Sequence, residues 1–412
     1  MPKVLHINCS CSGSTGKIIE DIADHAAGEG YETLLCAPCA PGNNKNVRYF
    51  RTSFPYEQGI YRRLNYLYGY QYGFAPLSTI RIKHIIRKEK PELIHLHCAN
   101  GFMVNIYSLL RYVKKQNIPL VITNHAEFYY TGSCPHALDC EQWQTGCGKC
   151  PQMQIATGGK LWDTSAAAWK RMKRAFSELK NVTMVSVSPW VGSRAACSPI
   201  TQRLTQKTVL NGVNTEMFTW HEPARLRKKY NLPENKKIIF HPTANFSDAE
   251  EDRKGGRFVI RLAERLANLD ILFLVAGKHT PGLQVPDNMI LLGHISDQKT
   301  LSEYYALSDA TVLVGQRETF NMPVAESLCC GTPVAGFFAG GPESVAIKEY
   351  SNFVNYADVK ALETQVRDIL GKRYDKQEIS RRAKITYSAA YMAQKYISIY
   401  EELLLEGRGD DA

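Results

Sequence analysis

The stretch that decides the fold is Val314–Val345, VGQRETFNMPVAESLCCGTPVAGFFAGGPESV. The apolar run Ala310–Val314 leads into it and reads as a buried strand; Pro333–Phe338 reads as a second. Between them stand two acids eight positions apart, Glu318 and Glu326, with Pro323 where a helix would begin. Strand, loop, helix start and acidic side chains at a strand's carboxyl end describe a ligand site in an open α/β sheet.

Reading outward, the same alternation recurs twice. On the near side, Thr208–Leu210, Lys236–His241, Ile271–Gly277 and Met289–Leu292 read as strands, and Gly255–Asn268 as an amphipathic helix. Ile271–Gly277 (ILFLVAG) is apolar throughout, as a strand covered on both faces must be. On the far side, Val4–Ile7, a turn over Cys9–Lys17, a helix over Ile18–Ala27 and a strand over Tyr31–Ala37 form a βαβ opening. Leu93–His97, Leu120–Thr123 and Val182–Val187 continue that series. The expected fold class is α/β, with two doubly wound Rossmann-like domains facing across a cleft. The first runs over 1–205 and the second over 206–385. Ser380–Leu405 has strong helical spacing with no strand after it, so 386–412 is expected to dock back on the first domain.

Composition sets the class. The chain has 412 residues, 44% hydrophobic and 22% charged, which suits a protein of two or three domains. Its net charge of +10 favours anionic partners such as a nucleotide phosphate or an acidic membrane surface. No Lys/Arg block suggests a nucleic-acid arm. The N-terminus, PKVLHINCS, has no signal-peptide pattern, and no apolar run is long enough to span a bilayer. A cytosolic location is expected, with the twelve cysteines as thiols. Tyr49–Tyr72 mixes aromatics with Arg51, Arg62 and Arg63; it reads either as a membrane-interface segment or as a tyrosine-rich surface helix packed on its own domain.

Two strand-end faces then offer candidate groups. In the second domain they are Arg253, Lys254, Glu318, Glu326 and the Gly340-Gly341 turn; in the first, the Gly13–Gly16 loop, His97 and His125. If the ligand is a nucleoside diphosphate, its departure builds negative charge, which cations and backbone N–H groups must neutralise. Lys254, just ahead of a helix start, suits that; so does a solvated basic turn. Glu326 can accept both hydroxyls of a ribose, and Glu318 can accept from a sugar or order its loop. Both could equally be helix N-terminal charges. The N-terminal loop CSCSGSTGK is no Walker A motif, because Cys11 and Ile18 stand where Gly and Ser or Thr are required. Cys134, Cys140, Cys147 and Cys150 form C-x5-C-x6-C-x2-C within seventeen residues. Clustered thiols in a cytosolic chain suit a structural zinc or similar metal, with disulfides or free thiols as the alternatives.

With these residues in view, the chain resembles the glycosyltransferase family 4 enzymes of the GT-B fold. Glu318–Glu326 matches the family's E-x7-E motif and continues as ESLCCGTPV and AGGPESV. LNGVNTEMF at 210–218, RKGG at 253–256, HLHCANGF at 95–102 and TNHAEFYYTG at 123–132 lend support. GSTGK and GSCPHALDCEQWQTGCGKCP are similar to a subset found among surface-polysaccharide enzymes. The resemblance implies retaining transfer of a sugar from a nucleotide-sugar donor to a saccharide or lipid-linked saccharide acceptor, with no catalytic metal. It implies that Glu326 binds the ribose and Glu318 contacts the donor sugar. Phe320, Asn321 and Met322 would offer backbone N–H groups, and Lys254 with Arg253 would carry the diphosphate. His125 would face the donor sugar, and Gly13, Ser14, Thr15 and Gly16 would approach the phosphates or the acceptor. The pattern departs from the family in HPTANFSDAEED, which lacks an Arg several residues before the Lys; Arg253 is expected to substitute. A sugar phosphorylase, a nucleotide-sugar epimerase and a non-enzymatic nucleotide-sugar binder share the fold and stand as alternatives.

Overall fold

A computed structural model describes the chain apart from residues 39–41, 55, 178, 234–235 and 410–412. The chain divides into two units: Met1–Leu210 with Met392–Ala412, and Asn211–Tyr391. No helix among the described residues is long and apolar enough to cross a membrane.

Unit 1 is built on seven strands: Lys3–Ile7 (β1), Glu32–Ala37 (β2), Val47–Arg51 (β3), Leu93–Leu96 (β4), Leu120–Asn124 (β5), Val182–Ser186 (β6) and Thr205–Thr208 (β7). They pair in parallel in the order β3-β2-β1-β4-β5-β6-β7. The order reverses direction between β1 and β4, the position at which open sheets bind ligands. Central strands β4, β5 and β6 are buried along their whole length, as the apolar runs require.

Unit 2 repeats the plan with Lys237–Phe246 (β8), Ile271–His279 (β9), Met289–Gly293 (β10), Ala310–Leu313 (β11), Val334–Phe337 (β12) and Ser351–Val354 (β13). Their order is β10-β9-β8-β11-β12-β13, with the reversal between β8 and β11. The helix Gly256–Arg265 turns Phe258, Val259, Leu262 and Ala263 into the core beside Ile239, Phe273 and Val312.

Several elements differ from the sequence expectation. The strand expected at Thr208–Leu210 as part of the second domain is Thr205–Thr208, β7, and it pairs with β6 as the edge of the unit 1 sheet. The helix after β1 starts at Gly13, so Gly13–Gly16 is its first turn and not a loop. Tyr49–Arg51 belongs to strand β3; only Glu57–Tyr68 is helical. The C-terminal stretch is two helices, Lys376–Tyr387 and Ala389–Gly409, broken at Ser388. The break is held by Val213, whose N–H donates to Tyr387 O at 2.8 Å while its carbonyl accepts from Ala389 N at 3.0 Å. The helix Ala389–Gly409 then packs Met392, Tyr396, Tyr400 and Leu403 into the core formed by Val4, Ile22 and Leu93. Each such buried side chain contributes about 1.5–3 kcal/mol.

Candidate functional site

In unit 2 three loops meet at the carboxyl edge of the sheet. The loop after β11 carries Glu318, and its backbone bridges to the loop after β12: Glu318 N donates to Ala339 O at 3.0 Å and Gly341 N to Glu318 O at 2.9 Å. The contact needs glycine, because a Cβ on Gly341 would lie 2.4 Å from the Thr319 carbonyl. The loop after β8 joins from the other side, where Gln316 N donates to Arg253 O at 2.9 Å. Gly255 has φ +76°, and a Cβ there would meet Val314 O at 2.5 Å. These constraints set Lys254 beside Glu318, and Lys254 Nζ donates to Glu318 Oε1 at 2.6 Å.

Glu326 sits on the helix Met322–Cys329, entered through Asn321 in the left-handed region at φ 72°. Beneath that helix Ser327 Oγ donates to Thr332 O at 2.8 Å and is hydrogen-bonded to Thr311 Oγ1 at 2.7 Å, tying it to β11 and to the turn before β12. The Glu326 carboxyl is pushed up to about 7 by desolvation, against the opposing pull of Tyr305, whose hydroxyl donates to it at 2.8 Å. Glu343 is an ordinary cap: its carboxylate accepts from Ala339 N at 3.0 Å and Gly340 N at 2.7 Å.

In unit 1 the ends of β1, β4 and β5 converge. Asn8 follows β1; its Nδ2 donates to Ser10 O at 2.8 Å and Thr15 Oγ1 at 3.0 Å, and its Oδ1 accepts from Cys98 N at 3.1 Å. Asn8 thereby fixes the first turn of the Gly13–Gly28 helix against the end of β4. Gly16 allows the close approach, since a Cβ there would lie 2.7 Å from Cys11 O. His6, His97 and His125 form a row: His6 Nδ1 lies 2.9 Å from His97 Nε2, and His97 Nδ1 lies 3.0 Å from His125 Nε2. His6 and His97 are fully buried, whereas His125 is half-buried. Burial holds His6 at about 3 and His125 at about 4, and it holds His97 well below the usual histidine range, so the row is neutral near pH 7. His95 lies alongside and is bonded to Tyr400 Oη at 2.7 Å and Thr123 Oγ1 at 2.8 Å. Among the described residues the nitrogens of His6, His95 and His97 lie within 4.8 Å of one another. His95 uses both its nitrogens in those hydrogen bonds, so the trio is occupied as a hydrogen-bond network.

The four clustered cysteines lie in the segment between the short helices Phe128–Thr131 and Met153–Thr157. Cys134 and Cys150 are hydrogen-bonded, which draws the Cys150 thiol down to about 7 and raises Cys134. Desolvation pushes Cys147 up to about 12, with Cys140 and Cys150 near it. Trp143 anchors the segment: its ring packs edge-on to Tyr130, and Trp169 Nε1 donates to its carbonyl at 2.8 Å. Glu127 completes the anchor, accepting from Arg194 Nε at 3.1 Å and Ala137 N at 3.1 Å.

The structure thus brings Arg253, Lys254, Glu318, Phe320, Asn321, Met322 and Glu326 to one sheet edge of unit 2. It places Gly13–Gly16, His97 and His125 at one edge of unit 1. Sequence reasoning missed Tyr305, Asn8 and His6. Tyr305 lies on an ordinary helix and carries no motif. His6 lies within the apolar strand β1 and Asn8 directly follows it, and a polar side chain in or at the end of an apolar run was the available signal.

Solved structures superpose on this chain over nearly its whole length. Sucrose-phosphate synthase from Thermosynechococcus elongatus does so with a TM-score of 0.72 at 16% identity, covering 98% of this chain and 100% of its own. HepE of Anabaena, solved in complex with UDP, gives 0.67 at 13% identity, covering 98% and 100%. At such identities the likeness fixes the fold, which is GT-B, the architecture of a broad class of glycosyltransferases. Within that class the chain belongs to glycosyltransferase family 4. Residues 15–217 match the family described as Glycosyltransferase Family 4, and residues 224–386 match Glycosyl transferases group 1. A relative is WcaC of Escherichia coli K12, named as a colanic acid biosynthesis glycosyl transferase; it is 23% identical over 330 residues, 77% of this chain and 78% of WcaC. The protein is a glycosyltransferase.

Proposed function

We propose that the protein transfers a sugar, with retention of configuration, from a nucleoside-diphosphate sugar to a hydroxyl of a saccharide or lipid-linked saccharide in surface-polysaccharide synthesis. The bond from the anomeric carbon to the diphosphate oxygen breaks, and the nucleoside diphosphate leaves with the electron pair. The acceptor oxygen bonds to the same carbon and gives up its proton.

The observation that carries this reading is the Lys254–Glu318 pair beside the helix start at Met322. The pair is half-exposed and worth about 0–1 kcal/mol. A charge-assisted hydrogen bond from a lysine to a phosphate is worth about 1.5–3 kcal/mol. An arriving diphosphate therefore draws Lys254 away and frees Glu318 for the donor sugar. Arg253 adds positive charge, and the first N–H groups of the helix, around Phe320, Asn321 and Met322, receive phosphate or sugar oxygens. Glu326, when ionised, accepts the ribose hydroxyls. His125 faces the donor sugar, and Gly13, Ser14, Thr15 and Gly16 face the phosphates or the acceptor. Structures of HepE carry UDP and UDP-glucose, and WcaC bears a polysaccharide-synthesis name; both favour this reading. The enzyme would work in the cytosol at the inner face of the membrane. Cys134, Cys140, Cys147 and Cys150 would hold a structural zinc.

The test is nucleoside diphosphate release from a panel of UDP-, GDP- and ADP-sugars with saccharide acceptors, with and without orthophosphate. Acceptor-dependent release from one donor, with the anomeric configuration kept in the product, is expected. Turnover that requires orthophosphate, or conversion of the donor with no acceptor, would overturn it.

A further inference from the structure

The helix Glu57–Tyr68 is inverted for a surface helix. Its buried positions are Glu57, Tyr61 and Asn65, and two of these are polar. Both need partners to be buried: Glu57 accepts from Arg81 at 2.6 Å, and Asn65 Nδ2 donates to Thr157 O at 2.9 Å. An apolar stripe flanks that buried face, where Tyr56, Ile60, Leu64 and Leu67 are all exposed. Their spacing of four, four and three residues is one face of a helix. A helix that only covered its own domain would bury that stripe.

The exposed surface continues past the helix. Lys160 N donates to Tyr66 O at 3.1 Å, which sets exposed Leu161 and Trp162 beside the helix end. Of the seventeen large hydrophobic residues exposed among the described residues, eleven fall within 54–80 and 161–162. Such concentration marks an interaction surface, whereas scattered exposure needs no explanation.

Charge decides the partner. Residues 51–88 hold seven Lys and Arg and one acid, Glu57, which is turned inward. Cations lie over two of the exposed rings, Lys160 at 4.8 Å from the Tyr66 centroid and Arg81 at 3.9 Å from Phe54, and Arg171 lies 4.2 Å from the partly buried Tyr70 ring. Aromatic bodies with basic tips fit the boundary between acyl chains and anionic headgroups. A two-fold contact with a second copy would instead set this basic patch against its own copy, like charge on like charge. We propose that this face of unit 1 docks on an anionic phospholipid bilayer, with the Tyr56–Leu67 stripe in the interface and Arg62 and Arg63 on lipid phosphates. It uses none of the residues assigned to catalysis, so the two readings fail separately.

The experiment is flotation of the full chain with vesicles of equimolar phosphatidylglycerol and phosphatidylcholine, against phosphatidylcholine alone, at about 0.1 M salt. Binding to the anionic vesicles that weakens with added salt is expected. Arg62→Ser with Arg63→Ser should weaken partitioning on the order of 20- to 30-fold. Ile60→Ser with Leu67→Ser should also weaken it, with circular dichroism and transfer to a soluble acceptor unchanged. Wild-type protein that stays off anionic vesicles, or variants that bind like wild type, would overturn the proposal. So would an oligomer in lipid-free solution that the Ile60/Leu67 variant converts to a monomer, which would assign the face to protein contact.

Discussion

His97 Nδ1 lies 3.0 Å from His125 Nε2, and this hydrogen bond ties a half-buried residue at a strand end to the interior of unit 1. The proton order along the row follows from its far end. His6 Nε2 is buried with no hydrogen-bond partner among the described residues, and a bare ring nitrogen is easier to leave there than an orphaned N–H. The proton of His6 is therefore on Nδ1, that of His97 on Nδ1, and that of His125 on Nδ1 as well. Nitrogen-15 NMR is expected to show His125 as the Nδ1–H tautomer. His97→Ala should release that ring and lower kcat about 10- to 100-fold, with donor KM nearly unchanged. Wild-type turnover in that variant would detach the row from the chemistry.

The same row makes unit 1 acid-labile. Burial holds His6 at about 3 and His125 at about 4, against about 6.5 in an unfolded chain, so the folded state binds fewer protons below that value. Stability is complete above about 6.5 and falls as pH drops toward about 4. Thermal unfolding followed across that window should show the loss, and His6→Gln should shrink it. A flat profile would contradict the buried neutral row.

Glu326 acts in the opposite sense. Its folded value of about 7 lies above its ordinary 4.5, so the folded state holds a proton that the unfolded chain releases. This stability is complete below about 4.5 and fades as pH rises through about 7, by on the order of 1–3 kcal/mol. Glu326→Gln should be the more stable protein at pH 8 and should bind the donor nucleotide more weakly. Calorimetric unfolding and nucleotide titration check the two halves, and unchanged nucleotide affinity would remove the ribose assignment.

Lys254→Met separates chemistry from folding. The pair with Glu318 leaves Lys254 47% exposed, so its loss should change stability by less than about 1 kcal/mol. Turnover should fall about 10²- to 10³-fold, the usual effect of removing one group aimed at developing charge. A large drop in melting temperature with modest kinetic change would reverse the assignment.

If the four cysteines ligate zinc, elemental analysis of protein purified without chelator should give about one zinc per chain. Cys150→Ser should lower that content and the melting temperature together. Metal-free protein of normal stability would leave the segment to its Trp143 and Glu127 anchors.

The α/β fold was legible because its strands are apolar throughout, as in Ile271–Gly277 and Leu120–Thr123. Strands β3 and β13 were not, because VRYFR and SNFV are edge strands, partly exposed and without an apolar run. Gly13–Gly16 looked like a loop because Gly and Ser are poor helix formers; the first turn is held from outside by Asn8. Glu318 and Glu326 stand out by spacing and Lys254 by its place before two glycines. Their partners do not. Tyr305 comes from an earlier helix, and His6 from the first strand. Only folding brings such distant positions together.

The helix that begins at Ala389 has a consequence for synthesis. Unit 1 opens at the first residue, yet Met392, Tyr396, Tyr400 and Leu403 belong to its core. On the ribosome this core stays incomplete while all of Asn211–Tyr391 is made, and its seam is closed only by the helix that follows that insert. Unit 2 is contiguous and is free to fold as soon as its own segment is out. The nascent chain should therefore expose the seam around Val4, Ile22 and Leu93 while Asn211–Tyr391 is being made, a period in which chaperone binding or premature termination would decide its fate.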